Sequence, residues 1–259
     1  MMASVLLIFP KLSKAQSSVN MNSTIRVLTF NILHGATTKG DFNLDVIADV
    51  IKRTNPDLVA LQEVDFKTNR AKKYDLVTEL AIRTQMIPLF GRTMFYDGGE
   101  YGEGILSKST FIKSRLVKLP HLDNYEPRTA LEITTIIGSN DTISFIGTHL
   151  DHVEGDTNRI MQAKEINRAF SSNKYPTILA GDLNDIQSSN TINILETFWT
   201  SAYNKNNYEY TFPSNKPNEK IDYIMFMPKD SWSVLETKAI KDTVASDHCA
   251  YFVILGLNK

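Results

Sequence analysis

Residues able to ligate a metal or move a proton recur in this sequence at one kind of place, the edge of a short apolar run. Val27-Leu28-Thr29-Phe30 leads into Asn31, and Leu58-Val59-Ala60-Leu61 leads into Gln62-Glu63. Ile143-Ser144-Phe145-Ile146-Gly147 leads into Thr148-His149, and Thr177-Ile178-Leu179-Ala180-Gly181 into Asp182-Leu183-Asn184. Two later runs carry the polar group in front: Asp222 precedes Tyr223-Ile224-Met225-Phe226, and Ser246-Asp247-His248 precedes the run from Cys249 to Leu255. A single Asp or Asn at a strand end is ordinarily a turn former, but repetition of the pattern points elsewhere. Antiparallel neighbours bring the end of one strand beside the start of the next, so these polar tips can meet on one rim. Carboxylates gathered there repel one another unless a cation or a proton intervenes. Asn, Asp and Glu supply hard oxygen ligands suited to Mg2+ or Mn2+. The two histidines lack zinc-type spacing and read as proton donors or phosphate contacts.

The elements that must position these tips can be read from periodicity. Strands are expected at Ile25–Phe30, Asp57–Leu61, Thr129–Ile137, Thr142–Gly147, Thr177–Ala180, Tyr223–Met227 and Ala250–Leu255. The stretch from Pro88 to Ile137 reads as consecutive strands, with turns at Asp97-Gly98-Gly99 and, after it, at Gly138-Ser139-Asn140. Helices are expected after Asn43, where Leu44, Ile47 and Ile51 share a face and Asn55-Pro56 stops the run, and over Tyr74–Thr84. A third follows a cap at Asp156 or Thr157, burying Ile160, Ala163, Ile166 and Phe170, and a fourth covers Thr191–Phe198. Strands that are partly adjacent and partly separated by helices predict two mixed sheets packed face to face with helices outside.

Composition narrows the function. The chain has 259 residues, 42% hydrophobic and 22% charged, which is globular composition. With 28 basic and 29 acidic side chains the formal net charge is −1, so no bulk attraction to nucleic acid or anionic membrane operates. The single cysteine, Cys249, excludes an intramolecular disulfide framework and a cysteine-rich zinc site, and core packing is its expected role. Val5-Leu6-Leu7-Ile8-Phe9, followed by Ser13-Lys14-Ala15 and Gln16, has the form of the end of a secretory signal peptide. The expected organisation is a signal at residues 1–15, an extension at 16–24 and a single catalytic domain at 25–259, exported to the periplasm or the medium. No other apolar run approaches the ~18 residues needed to span a bilayer, and a monomer is expected.

Taken in order, Thr29-Phe30-Asn31, Leu61-Gln62-Glu63-Val64, Gly147-Thr148-His149, Gly181-Asp182-Leu183-Asn184, Ile221-Asp222-Tyr223 and Ser246-Asp247-His248 resemble the motifs of the endonuclease/exonuclease/phosphatase superfamily, whose fold is that of deoxyribonuclease I. The resemblance implies an α/β, four-layered sandwich of two mixed, largely antiparallel β-sheets flanked by helices. It also implies that Asn31 and Glu63 hold a divalent cation with Asp247 nearby. Asp182 and Asn184 would orient or activate the attacking water. His149 and His248 would contact the scissile phosphate, with His149 as a candidate general acid, and Asp222 would orient a histidine. Arg128, in Glu126-Pro127-Arg128, resembles the family's arginine contact before the central strand, and its planar fork suits a phosphate; a surface pair with Glu126 is the plainer reading. Tyr101, in Tyr101-Gly102-Glu103-Gly104-Ile105-Leu106-Ser107, resembles a tyrosine that reaches the phosphate. Nuclease branches often carry an acidic residue two positions after the first Asn; here it is Leu33, which weighs against a second metal contact and a DNA-repair role.

Weaker signals surround these motifs. Lys67, Arg70, Lys72 and Lys73 follow Glu63 and read either as a solvated run or as an anion contact, with Arg70 a substrate-binding candidate. Asp151 and His152 extend the His149 motif as candidates to support it from behind, Asp151 sharing its face if that strand continues, and His34 is a rim candidate. Trp199, Tyr203, Tyr208, Tyr210 and Phe212 make an aromatic loop that packs on itself or stacks on a substrate. The expected activity is Mg2+- or Mn2+-dependent hydrolysis of a phosphodiester or phosphomonoester, with small-molecule, lipid-headgroup and inositol-phosphate substrates favoured over nucleic acid. A secreted nuclease and an inactive binding protein on the same scaffold are the alternatives.

Overall fold

The computed structural model describes residues 21–138 and 140–258. The expected signal at 1–15, residues 16–20 of the expected extension, and Ser139 of the Gly138-Ser139-Asn140 turn lie outside the described residues.

In chain order the elements are β1 (Met21–Asn31), α1 (Leu44–Thr54), β2 (Leu58–Phe66), α2 (Leu76–Thr84), β3 (Ile87–Tyr96), β4 (Gly99–Ser107), β5 (Phe111–Leu119) and β6 (Arg128–Ile137). Then come β7 (Asp141–His149), α3 (Thr157–Phe170), β8 (Thr177–Asp182), α4 (Asn190–Leu195), β9 (Thr200–Ser201), β10 (Asp222–Met227), β11 (Trp232–Ile240) and β12 (Ala250–Asn258). One six-stranded sheet runs β11-β12-β1-β2-β4-β3 and the other β5-β6-β7-β8-β10-β9. The pairs β1/β2 and β7/β8 are parallel and every other pairing within the two sheets is antiparallel. Each parallel pair is bridged by a helix, α1 or α3, as a parallel connection requires.

Strand alternation sorts the apolar residues into layers. Ile25 and Val27 of β1, Leu58 and Ala60 of β2, Phe145 of β7, Ile178 and Ala180 of β8 and Ile224 of β10 fill the space between the sheets. The opposite faces, such as Leu28 and Phe30 of β1, pack on Ile47, Ile51, Leu76 and Leu80 of α1 and α2. On the far side Ile146, Leu179, Tyr223 and Met225 pack on Ala163, Ile166 and Phe170 of α3 and Ile192 of α4. The result is the expected helix–sheet–sheet–helix sandwich.

Local differences have local causes. Asn43 caps α1 by accepting from the Asp45 amide, and Asn55 closes it in the left-handed conformation, as expected. α2 starts later than Tyr74 because Asp75 accepts from the Thr78 amide and sets the cap. α3 begins after Asp156 without a side-chain cap bond, and Ile160 is only partly buried. β1 already pairs with β12 from Met21, inside the segment expected to be an extension. β11 was not foreseen: it is an outer strand with a bulge between Val234 and Glu236, so its alternation is broken.

Candidate active site

The strand tips converge because their polar residues keep the phase of the inter-sheet face. In β1 that face runs Ile25, Val27, Thr29, Asn31; in β7 it runs Ile143, Phe145, Gly147, His149; in β8 it runs Ile178, Ala180, Asp182; and in β10 it starts at Asp222 and continues to Ile224 and Phe226. Register then aligns them across the sheet, His149 opposite Asp182 and Asp182 opposite Asp222. Gly181 is needed here, since a Cβ on it would lie 2.0 Å from the Thr148 carbonyl oxygen. Glu63 reaches the rim by another route. The β2/β4 pairing skips from Leu61–Gly104 to Val64–Gly102, so Gln62 and Glu63 form a bulge, and Glu63 takes a left-handed φ of 56°. A bulge of this kind re-aims a side chain that strict alternation would turn toward the helices.

The tips line a cavity of about 310 Å³. The Asn31 amide donates to Glu63 Oε1 and to Asp182 Oδ2, each at 3.1 Å. His34 Nδ1 lies 3.3 Å from Glu63 Oε2. Asp182 Oδ1 accepts from the Asn184 backbone amide at 3.0 Å, and Asn184 Nδ2 holds the Leu150 carbonyl at 3.0 Å. Asp222 grips His248 Nδ1 with both oxygens, at 3.0 and 3.2 Å, while His248 Nε2 lies 3.6 Å from Asp182 Oδ2. The Ser246 hydroxyl donates to the Asn31 carbonyl at 2.7 Å and accepts from the His248 amide, which fastens the start of β12 to the end of β1.

Arg128 is not on the surface. It is 2% exposed, pairs with Glu126 at 2.9 Å, and donates to Nδ1 of His149 at 3.2 Å and of His152 at 3.1 Å. A guanidinium has donors only, so His149 Nδ1 accepts from Arg128, while Nε2 lies 2.9 Å from Asn184 Nδ2 and 3.4 Å from Asp182 Oδ2. Burial and the Arg128 charge press the His149 pKa well below its ordinary value. This departs from the sequence expectation of a general acid: both ring nitrogens of His149 face N–H donors, from Arg128 and Asn184, which disfavour an added proton. His248 is the opposite case. Burial opposes its charge, but Asp222 and Asp182 outweigh that and raise it to about 10. Burial, reinforced by Asp222, pushes Asp182 up to about 7 against the pull of His248. Ionisation of Glu63 is also disfavoured by burial, yet bonds from His34 and Asn31 hold it down at about 2.

Of the basic run after Glu63, only Arg70 faces the cavity, where Asp247, Tyr101, Tyr96 and Met94 also lie. Lys67 lies over Phe66, Lys72 over Phe42, and Lys73 donates to the Gly98 carbonyl. In the aromatic loop only Phe212 reaches the site, its ring 4.8 Å from that of His248. Tyr203, Tyr208 and Tyr210 pack edge to face on one another, and Trp199 is buried with its indole N–H on Asn167. Cys249 is buried, as expected. Asp151 does not share the face of His149, because β7 ends at His149 and the Asp151 carboxylate turns to Asn158 of α3.

Sequence reasoning missed the polar first turns of α3. Gln162 accepts from the Asp151 amide at 2.9 Å, and Arg159 donates to the Asp151 and Val153 carbonyls at 3.0 and 2.9 Å and pairs with Asp185 at 3.2 Å. Together they tie the loop after His149 to the loop after Asp182. The signal was present: Arg159 sits four residues before Ala163 and Gln162 four before Ile166, on the side of the helix that must be buried. It also missed Lys220, which is fully buried under Tyr251, donates to the Asp222 carbonyl at 2.9 Å, and is pulled down by burial to about 7.

A sequence model described as the Endonuclease/Exonuclease/phosphatase family matches residues 28–248. The chain belongs to this family. Among solved structures, the endonuclease/exonuclease/phosphatase from Bacteroides vulgatus is 22% identical, covering 92% of this chain and 100% of that one with a TM-score of 0.74. The mannosyl-6-phosphatase of Bacteroides thetaiotaomicron is 18% identical over 89% of this chain and 99% of its own, with a TM-score of 0.70. The human Nocturnin catalytic domain with bound sulfate is 17% identical over 91% and 95%, with a TM-score of 0.69. At these identities the likeness is one of fold. Comparison with curated proteins finds no match.

Members of the endonuclease/exonuclease/phosphatase family are hydrolases of phosphoesters and generally depend on a divalent metal, and the donor chemistry here fits one. Glu63 and Asp247 present carboxylates and Asn31 an amide to one cavity, with Asp182 beside them, and an ionised Glu63 beside Asp182 calls for a cation. Asp182, Asp222 and His248 also offer ligand atoms within 4.8 Å of one another. The Asp222–His248 bonds already satisfy two of those three, which makes that group a carboxylate–histidine pair. Among the described residues no helix is long and apolar enough to cross a membrane.

Proposed function

We propose that the protein is a divalent-metal-dependent phosphoesterase acting on a small phosphoester. The observation that carries this reading is the convergence of Asn31, Glu63, Asp182, Asp247 and His248 on one cavity, where burial raises Asp182 and the Asp222 carboxylate raises His248. A carboxylate that titrates near neutrality is matched to taking a proton from water. Asn184 fixes that carboxylate through its backbone amide. The His248 imidazolium, kept charged by Asp222, faces the place where negative charge grows on the phosphoryl oxygens. His149, held between Arg128 and Asn184, lines the cavity beside Asp182. Mg2+ or Mn2+ held by Asn31, Glu63 and Asp247 would neutralise charge on the phosphoester and lower the barrier to water attack.

Two features favour a small substrate. The cavity of about 310 Å³ is at the lower end for ligand sites, and the chain's net charge of −1 offers no broad basic face for duplex phosphates. The mannosyl-6-phosphatase among the fold neighbours is consistent with that scale. The run Val5–Phe9 and the Ser13-Lys14-Ala15 pattern support action outside the cytoplasm. The test is a substrate panel with Mg2+: an aryl phosphate, a sugar phosphate, an inositol phosphate, sphingomyelin, and single- and double-stranded DNA. Turnover of small phosphoesters well above DNA is expected. Preferential cleavage of DNA would replace this reading with a nuclease, and no turnover of any member would favour an inactive scaffold.

A further inference from the structure

One wall of the cavity is not used by the chemistry above. Arg70 is anchored there by a two-pronged pair with Asp65, Nε to Oδ2 at 2.7 Å and Nη2 to Oδ1 at 2.9 Å. Asp65 is fully buried and also accepts from the Thr68 hydroxyl at 2.6 Å. The Arg70 guanidinium lies over the rings of Tyr96 at 4.6 Å and Tyr101 at 5.6 Å. Its Nη1 makes no hydrogen bond among the described residues, and the side chain, 31% exposed, lines the cavity together with Met94 and Tyr96. The guanidinium is therefore rigid before any ligand arrives, which limits the ordering entropy lost on binding.

The charge balance says what such a wall would take. Arg70 is neutralised by a buried carboxylate at contact distance, so the wall has no net positive charge to offer a second phosphate. It does offer free N–H donors beside an aromatic face and a thioether. We infer that Arg70, Tyr96 and Met94 form a leaving-group subsite for a neutral, hydroxyl-bearing alcohol, a monosaccharide or similar polyol, esterified to the phosphate. Hydroxyl oxygens accept from Nη1, and the apolar face of the ring lies on Tyr96. Hydrolysis there breaks the bond between phosphorus and the polyol oxygen, water supplies the replacing oxygen, and the proton lost by water is balanced by one gained on the leaving oxygen. The products are free polyol and inorganic phosphate. This inference rests on the phosphoesterase reading.

The test compares initial rates on three monoester probes with Mg2+: p-nitrophenyl phosphate, whose leaving group has no hydroxyls to accept Nη1 donors, a hexose phosphate and a hexose bisphosphate. Arg70→Lys keeps a cation for Asp65 but removes the fork, and Tyr96→Ala removes the aromatic face without touching Asp65. Each variant is expected to lower the ratio of kcat/KM for the hexose phosphate over p-nitrophenyl phosphate by at least tenfold, mostly through KM. An unchanged ratio in both variants would overturn the subsite. So would a wild-type preference for the bisphosphate that Arg70→Lys abolishes, since that would make the occupant an anion. Wild-type turnover of p-nitrophenyl phosphate without the hexose phosphate would overturn the polyol assignment alone. Turnover of none of the probes would overturn the phosphoesterase reading along with it.

Discussion

Asp222→Asn isolates the claim that His248 works as an imidazolium. The Asn side chain keeps an oxygen facing Nδ1, so ring orientation survives while the charge is lost. The two Asp222 oxygens stand 3.0 and 3.2 Å from Nδ1, and Asp222 is fully buried. At ~3 Å and an effective dielectric of ~20, opposite unit charges attract by ~5 kcal/mol. The rise of His248 to about 10 has the same sign, with burial opposing it and Asp182 and Asp247 adding to Asp222. The variant should therefore titrate His248 well below wild type, because burial is then opposed by Asp182 and Asp247 without Asp222. Removing a charged donor from the transition state costs ~10²–10³-fold in kcat. The activity loss should be greatest at neutral and alkaline pH and smaller below 6.5, where the histidine recovers its proton. The stability sign follows from a raised pKa: the stabilisation is fully present below 6.5 and is lost as pH rises through about 10. Wild type should thus exceed the variant most in acid, with the gap closing toward pH 10. The assays are a pH–rate profile, ring-proton NMR titration of His248 and thermal melts across pH. A wild-type His248 titrating near 6.5, or a variant with kcat within ~3-fold of wild type, would refute the reasoning.

Other outcomes follow from the same geometry. Asp182→Asn should abolish hydrolysis yet melt no lower than wild type in chelator at pH 8, because a carboxyl raised from 3.8 to about 7 destabilises the metal-free fold increasingly over that range; a large drop in melting temperature would contradict its ionisation state. Arg159→Met strips two carbonyls and Asp185 of their donor, and unpaired buried groups cost ~1–3 kcal/mol each; kcat should fall about tenfold with lowered melting, and Arg159→Lys should restore part of both. Mass spectrometry of protein recovered from an expressing host should find a mature chain beginning at Gln16; a chain retaining residues 1–15 in the cytoplasm would refute export.

The strand tips were legible because a period of two residues carries a polar side chain onto the same face as the apolar ones before it. Asn31, His149, Asp182 and Asp222 followed from that rule; the parallel β7/β8 pair set His149 beside Asp182, and the antiparallel β8/β10 pair set Asp222 on the other side. Glu63 reached the rim through a bulge with a left-handed φ, which no alternation pattern announces; only its motif placed it there. The ionisation of His149 was misread because it depends on Arg128, which folds in from a different strand and is buried instead of exposed. The role of Arg159 was hidden for a related reason: an arginine in a helix reads as surface until the loops it holds are seen around it. Asp151 was misplaced because the strand ended one turn of alternation early, at His149. Arg70 was already the substrate-binding candidate of its run, but the partners that fix it, Asp65 and Tyr96, are not revealed by the spacing of a basic run.

The central claim is hydrolysis of a phosphoester in this cavity with a divalent cation held at Glu63. Its most direct test follows phosphate release from a small phosphoester after exhaustive chelation and again during titration with Mg2+ or Mn2+, in wild type and in Glu63→Gln. No turnover is expected after chelation, with recovery on adding metal and a Glu63→Gln variant that needs at least tenfold more metal for half-recovery. Full turnover in the chelated wild type, or an identical metal titration in the variant, would contradict the claim.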